Sequence, residues 1–135
     1  MPLTLEQALS LDVLKNAVVL CGSKNLKNEI NFVTVMEVPD ICDWVSEGAF
    51  LLTTGYPFKD SPEDLSLLIA KLSEKRLSGI AIKTKRFIDA IPETVLKTAD
   101  ELGFPLIQLP PEARFENIIS DLMAHAINNL ISRRV

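Results

Sequence analysis

The chain has 135 residues, 14 Lys and Arg against 18 Asp and Glu, a formal net charge of −4 and a hydrophobic content of 47%. That length suits one domain, which hides roughly two thirds of its unfolded surface and needs no covalent staples. The acidic balance excludes this stretch as a phosphate-backbone binder, and the mean hydropathy of +0.21 implies a large core or apolar surface kept for a partner.

Met1 to Leu11 lacks a basic region and a long apolar run, so it is no secretory signal. No apolar run approaches the ~18 residues that would span a bilayer, and we expect a cytoplasmic protein. Thr4 and Gln7 fit a capping box at the start of a short helix, Leu5 to Ser10. Ala17 to Cys21 is a short strand ended by Gly22. Ile30 to Val38 is a second, rich in β-branched residues and stopped by Pro39. Asp40 is placed to cap a short helix from Ile41 to about Val45, with Gly48 at its left-handed exit. Ala49 to Thr53 reads as a strand buried on both faces.

Ser61 and Pro62 open a helix whose Leu65, Leu68, Ile69 and Leu72 share one face. Gly79 to Ile82 is the next strand. A helix from Pro92 points Val95, Ala99 and Leu102 inward and closes at Gly103; Phe104 to Leu109 is the last strand. This alternation predicts an α/β fold with a mainly parallel sheet flanked by helices. Residues 1–112 form that unit. Residues 113–135 form one long helix of about 30 Å, a connecting and dimerising element leading to a region absent from this chain. Its apolar stripe, including Phe115, Ile119, Leu122, Met123, Ile127 and Leu130, is wider than one contact needs. Either the helix lies in a groove of its own domain, or a second edge meets a twin in a homodimer, the reading we favour. No stop signal follows Arg134, so we expect a piece of a longer protein.

In parallel sheets ligands sit beyond the carboxyl ends of the strands. Four exits are readable: Glu37 to Asp40, Thr53 to Tyr56, Lys83 to Arg86, and Gln108 to Pro110. A rim carrying Glu37, Asp40, Thr53, Thr54, Gly55, Tyr56, Lys83 and Arg86 suits a small polar or anionic molecule. Each residue also has a plainer role: Asp40 as a helix cap, Glu37 paired with Lys83 or Arg86, Thr53-Thr54-Gly55 as a turn, and Lys83, Lys85 and Arg86 as a solvated loop. Trp44 and Tyr56 either pack as lids or stack on a ligand.

Catalysis finds no footing. His125 is the single histidine and sits in the long helix, remote in sequence from Cys21 and Cys42, which read as small apolar residues. No HExxH, paired cysteines, GxGxxG or GxxxxGK motif is present, so we expect no metal and no cofactor. A phospho-accepting receiver is the remote alternative, weakened by Thr53-Thr54 standing where an acceptor Asp belongs.

Val35-Met36-Glu37-Val38-Pro39-Asp40, then Trp44, Gly48 and Leu51-Leu52-Thr53-Thr54-Gly55-Tyr56 form an ordered set. It continues with Gly79-Ile80-Ala81-Ile82-Lys83, Arg86, Ile91-Pro92-Glu93, Ala99-Asp100, Gly103-Phe104-Pro105-Leu106-Ile107, Leu109-Pro110, and Phe115 with Ile118-Ile119. This set resembles the N-terminal domain of PucR-type transcriptional regulators, the purine catabolism regulator family, over nearly the whole chain. The resemblance implies a sensory module at the front of a bacterial regulator whose far end carries a helix-turn-helix domain. DNA would then be met only through a C-terminal domain not in this chain. The family name points to purine breakdown products as effectors. Ser46-Glu47-Gly48-Ala49-Phe50 departs from the Gly-Gly-Glu-Leu form associated with that spot. A pure dimerisation module without ligand is the alternative.

Overall fold

The structure is a computed structural model that describes residues 2–134, with side chains described except at residues 130 and 132–134. Five strands form one sheet in the order β1-β5-β4-β3-β2: β1 (Val18–Cys21), β2 (Phe32–Val35), β3 (Ala49–Thr53), β4 (Gly79–Lys83) and β5 (Leu106–Leu109). β2, β3, β4 and β5 run parallel, and β1 joins β5 antiparallel. Four helices flank the sheet: α1 (Leu5–Leu9), α2 (Leu65–Glu74), α3 (Glu93–Leu102) and α4 (Phe115–Arg134). The α/β fold with a mainly parallel sheet and long final helix is as the sequence predicts.

Strand periodicity explains the layering. Successive side chains point to opposite faces, so Leu51, Ile80, Ile82 and Leu106 enter the core beneath α2 and α3. Phe50, Leu52, Ala81, Ile107 and Leu109 enter the second core, with Leu5 and Ala8 of α1 and Ile118 and Leu122 of α4. With both faces covered, β3 is buried at all five positions, which is why Ala49 to Thr53 shows no polar alternation.

Register places the site. Val35 lies beside Leu52, Thr53 beside Ile82, and Lys83 beside Leu109. Parallel strands in that register end flush, so Glu37, Thr53 and Lys83 emerge along one edge, as the sequence predicts.

Local departures have local causes. The second strand spans only Phe32–Val35, because the Ile30 N–H donates to the Leu3 carbonyl (2.7 Å) instead of joining the sheet. The helix expected after Asp40 is a single 3₁₀ turn, Ile41–Asp43, without a side-chain cap. The Asp40 carboxylate accepts from Trp44 Nε1 (2.8 Å) instead. Ser61 likewise makes no cap bond, and a 3₁₀ turn, Pro62–Asp64, leads into α2. Leu102 is 46% exposed rather than inward, where Gly103 turns left-handed at the end of α3. The capping box at Thr4 and Gln7 is present in both directions.

The stripe on α4 divides. Ile118 and Leu122 are core residues of the α/β unit, and Ile119 is half-buried against them, so the first half of the helix is built into the domain. Leu122, at 0% exposure, is therefore unavailable to a partner, whereas Ile127 at 56% and Ile131 at 55% face outward. Leu130, expected in the same stripe, lies outside the residues whose side chains are described. Leu122→Ala is expected to cost about 2–5 kcal/mol of stability, read from urea unfolding of the variant.

Candidate functional site

The end of β2 is tied to the end of β3 by one carboxylate. Glu37 Oε1 accepts from Thr53 Oγ1 (2.5 Å) and the Thr54 N–H (3.1 Å). Oε2 accepts from the same N–H (2.9 Å) and from Thr54 Oγ1 (2.5 Å). The hydroxyls pass the pattern on: Thr53 Oγ1 accepts from the Gly55 N–H (3.0 Å) and Thr54 Oγ1 from the Tyr56 N–H (3.3 Å). Gly55 closes the turn at φ 77°, and a Cβ there would strike Ile88 Cδ1.

Beyond this turn lies an open cleft of about 360 Å³ lined by Glu37, Thr54, Tyr56, Lys83, Arg86, Phe87 and Phe115. Three cations stand on aromatic rings here. Lys59 Nζ lies 4.8 Å from the Tyr56 ring centre, Lys83 Nζ 5.4 Å from that of Phe115, and the Arg86 guanidinium 5.3 Å from that of Phe87. Tyr56 and Phe87 meet edge to face at 4.9 Å. A cation over a ring face is attracted by the ring quadrupole without being neutralised. Among the described residues the ion pairs are Asp12 with Lys15, Glu6 with Lys27 and Arg114 with Glu116, so Lys59, Lys83 and Arg86 have no carboxylate partner. The cleft also abuts the first residue of α4, Phe115, and the positive end of that helix's dipole adds to the cationic field.

Five of the eight rim residues expected from sequence thus line one cleft: Glu37, Thr54, Tyr56, Lys83 and Arg86. The other three do not. Thr53 is 0% exposed and spends its hydroxyl on Glu37 and Gly55, Gly55 is buried against Ile88, and Asp40 turns to Trp44. Glu37 pairs with neither Lys83 nor Arg86, since the turn occupies its oxygens. Phe87 was not singled out, and Phe115, expected at a dimer interface, lies under Lys83. The signals were an aromatic directly after Arg86 and a phenylalanine shortly after the last strand exit. That exit runs into a separate hollow of about 270 Å³, lined by Leu109, Pro110 and Arg114 together with Asp12 to Ala17.

Next to the cleft, Lys85 holds φ at 81°, a left-handed conformation uncommon for a residue with a side chain. Its N–H donates to the Ile88 carbonyl (2.7 Å), closing the loop that presents Arg86 and Phe87. Burial pushes both thiols up: Cys21 further through Asp100, while Lys71 and Lys75 partly offset it at Cys42. Neither is an activated nucleophile. No helix of the described residues is long and apolar enough to cross a membrane.

Residues 7–126 match the model of the purine catabolism regulatory protein-like family. The chain is 35% identical over 123 residues to the purine catabolism regulatory protein of Bacillus subtilis (strain 168), covering 87% of this chain and 23% of that protein. Among solved structures, it is similar to the CBS and DRTGG domains of the regulatory region of Clostridium perfringens pyrophosphatase, complexed with its activator diadenosine tetraphosphate. The TM-score is 0.55 at 17% identity, over 88% of this chain and 47% of that one. That likeness is one of fold.

Glu37→Gln replaces an acceptor oxygen by a donor facing Thr53 or Thr54, and a cost of about 1–3 kcal/mol in urea unfolding is expected. Lys83→Ala and Arg86→Ala, which break no ion pair, are expected to stay within about 0.5 kcal/mol of the native chain in the same measurement.

Proposed function

The chain belongs to the purine catabolism regulatory protein-like family, and from that premise we propose that it is the small-molecule-sensing front domain of a bacterial transcriptional regulator. It spans 23% of the curated relative's length, so DNA contact is assigned to a C-terminal helix-turn-helix region outside this chain. The observation that carries the reading is the strand-end cleft, where Lys59, Lys83 and Arg86 stand unpaired on aromatic rings beside a carboxylate already saturated by its own turn. Such a surface suits a small anion, which would supply the missing negative charge.

Coupling follows from Lys83. Its ammonium rests on Phe115, where α4 begins. An anion that draws Lys83 away changes what the start of α4 touches. A ligand shifts a two-state element only through differential affinity, and a shift from 1:99 to 99:1 takes about 5.5 kcal/mol. Two or three hydrogen bonds to charged groups, at about 1.5–3 kcal/mol each, are of that order. The domain works in the cytoplasm as a homodimer, joined through the outer side of α4 at Met123 and Ile127. Ile127 and Ile131 also favour a second reading, a dimerisation module in which the cleft binds nothing.

A thermal-shift screen of small anions, purine-pathway metabolites first, separates the two. A true effector at a hundred times its Kd stabilises the native chain by about 2.7 kcal/mol. The gain is expected to vanish in Lys83→Ala and Arg86→Ala. A broad set that never shifts the melting point leaves the dimerisation module as the better account.

A further inference from the structure

The sheet has two edges, and they are built differently. At the β1 edge the register with β5 shifts between Val19 and Cys21, an irregularity that discourages further pairing. The β2 edge has no such device. Phe32 to Val35 pair with β3 in unbroken register, and the run from Phe32 to Met36 contains no charged residue and no proline. Leu3 and Leu5 pair with Ile30 and Asn28 just before this strand, and from Phe32 onward strand order leaves the outer side of β2 without a partner strand among the described residues. An uncharged, regular, open edge of this kind is a template for another strand.

Apolar side chains flank that edge above and below. Val33 packs into the core shared with α4 and Met36 into the core shared with α2. By alternation Val35 lies on the α4 face and Phe32 on the α2 face. Phe32 is 52% exposed and lines a hollow of about 210 Å³ with Trp44, itself 64% exposed. On the other face α4 packs against β2 and carries the outward Ile127 and Ile131. A four-residue strand alone falls short of the roughly 800 Å² per partner that stable pairs hide, so these flanking side chains are needed and are in place.

We propose that β2 is a docking edge for a second copy of this chain, joined antiparallel across a two-fold axis normal to the sheet to make one continuous sheet. This deepens the homodimer reading above and rests on it. A second copy fits for two reasons. An edge strand is self-complementary under that rotation, and a segment without charge lets two chains of net charge −4 meet without repulsion at the seam. The rotation keeps each sheet face on its own side. Both copies of α4 therefore flank the axis on one face and both Trp44 rings on the other.

Light scattering on the full chain tests this. The native chain is expected at twice 15.0 kDa, and the double variant Phe32→Lys, Val35→Lys at the single mass with its melting transition retained. Amide exchange over residues 32–35 is expected to slow as concentration rises, which reads the same seam without a variant. A folded double variant that remains dimeric while Ile127→Glu is monomeric overturns the edge and leaves pairing through α4 standing. Exchange at residues 32–35 that ignores concentration in a dimeric chain does the same. A native chain at 15.0 kDa throughout overturns both readings.

Discussion

The carboxylate of Glu37 governs the geometry where β2 and β3 leave the sheet. It gathers two hydroxyls and a backbone N–H from Thr53 and Thr54, and so ties the exit of an edge strand to the exit of a central one. Buried and half-buried polar groups are costly unless satisfied, and here each donor meets the same acceptor pair. A second effect follows from charge. Because Glu37 is spent on the turn, it does not neutralise Lys83 or Arg86. Those cations rest on aromatic rings, an arrangement that holds them in place while leaving their charge available. Structural saturation of one group therefore leaves the charge of its neighbours unneutralised.

The architecture was legible where burial alone decides. Apolar strands without polar alternation required cover on both faces, and strands alternating with helices required parallel crossovers. From those two facts the shared edge of Glu37, Thr53 and Lys83 followed. What could not be read was which of several satisfied states a polar side chain selects. Asp40 has the sequence position of a helix cap, yet the indole N–H of Trp44 claims it. Thr53 looks like a ligand contact in a strand-exit pattern, but it is wholly buried and holds the turn. Phe115 shares the apolar stripe of α4, and only the three-dimensional course of β4 shows that Lys83 covers it. Periodicity identifies a helix face without saying what lies against it.

The division of α4 carries the same lesson in energetic form. Ile118 and Leu122 fill the space over Phe50, Leu52 and Ile107, so this part of the helix is as much core as the strands are. Ile127 and Ile131 have no such cover. A helix with a small net preference for one side reads as uniformly apolar, because two different surfaces are written along one rod. Side chains on both sides of residue 113 therefore share one core.

The unequal lengths of α4 on either side of its core residues give it the proportions of a lever. Leu122 is the fulcrum, gripped by the core with no exposed surface. Phe115, at the cleft, stands about 10 Å from it along the axis, and Arg134 about 18 Å on the other side, at 1.5 Å per residue. Were α4 to tilt as a rigid rod about that point, the unequal arms would return a sideways nudge beneath the phenylalanine nearly doubled, and reversed in direction, at the far tip.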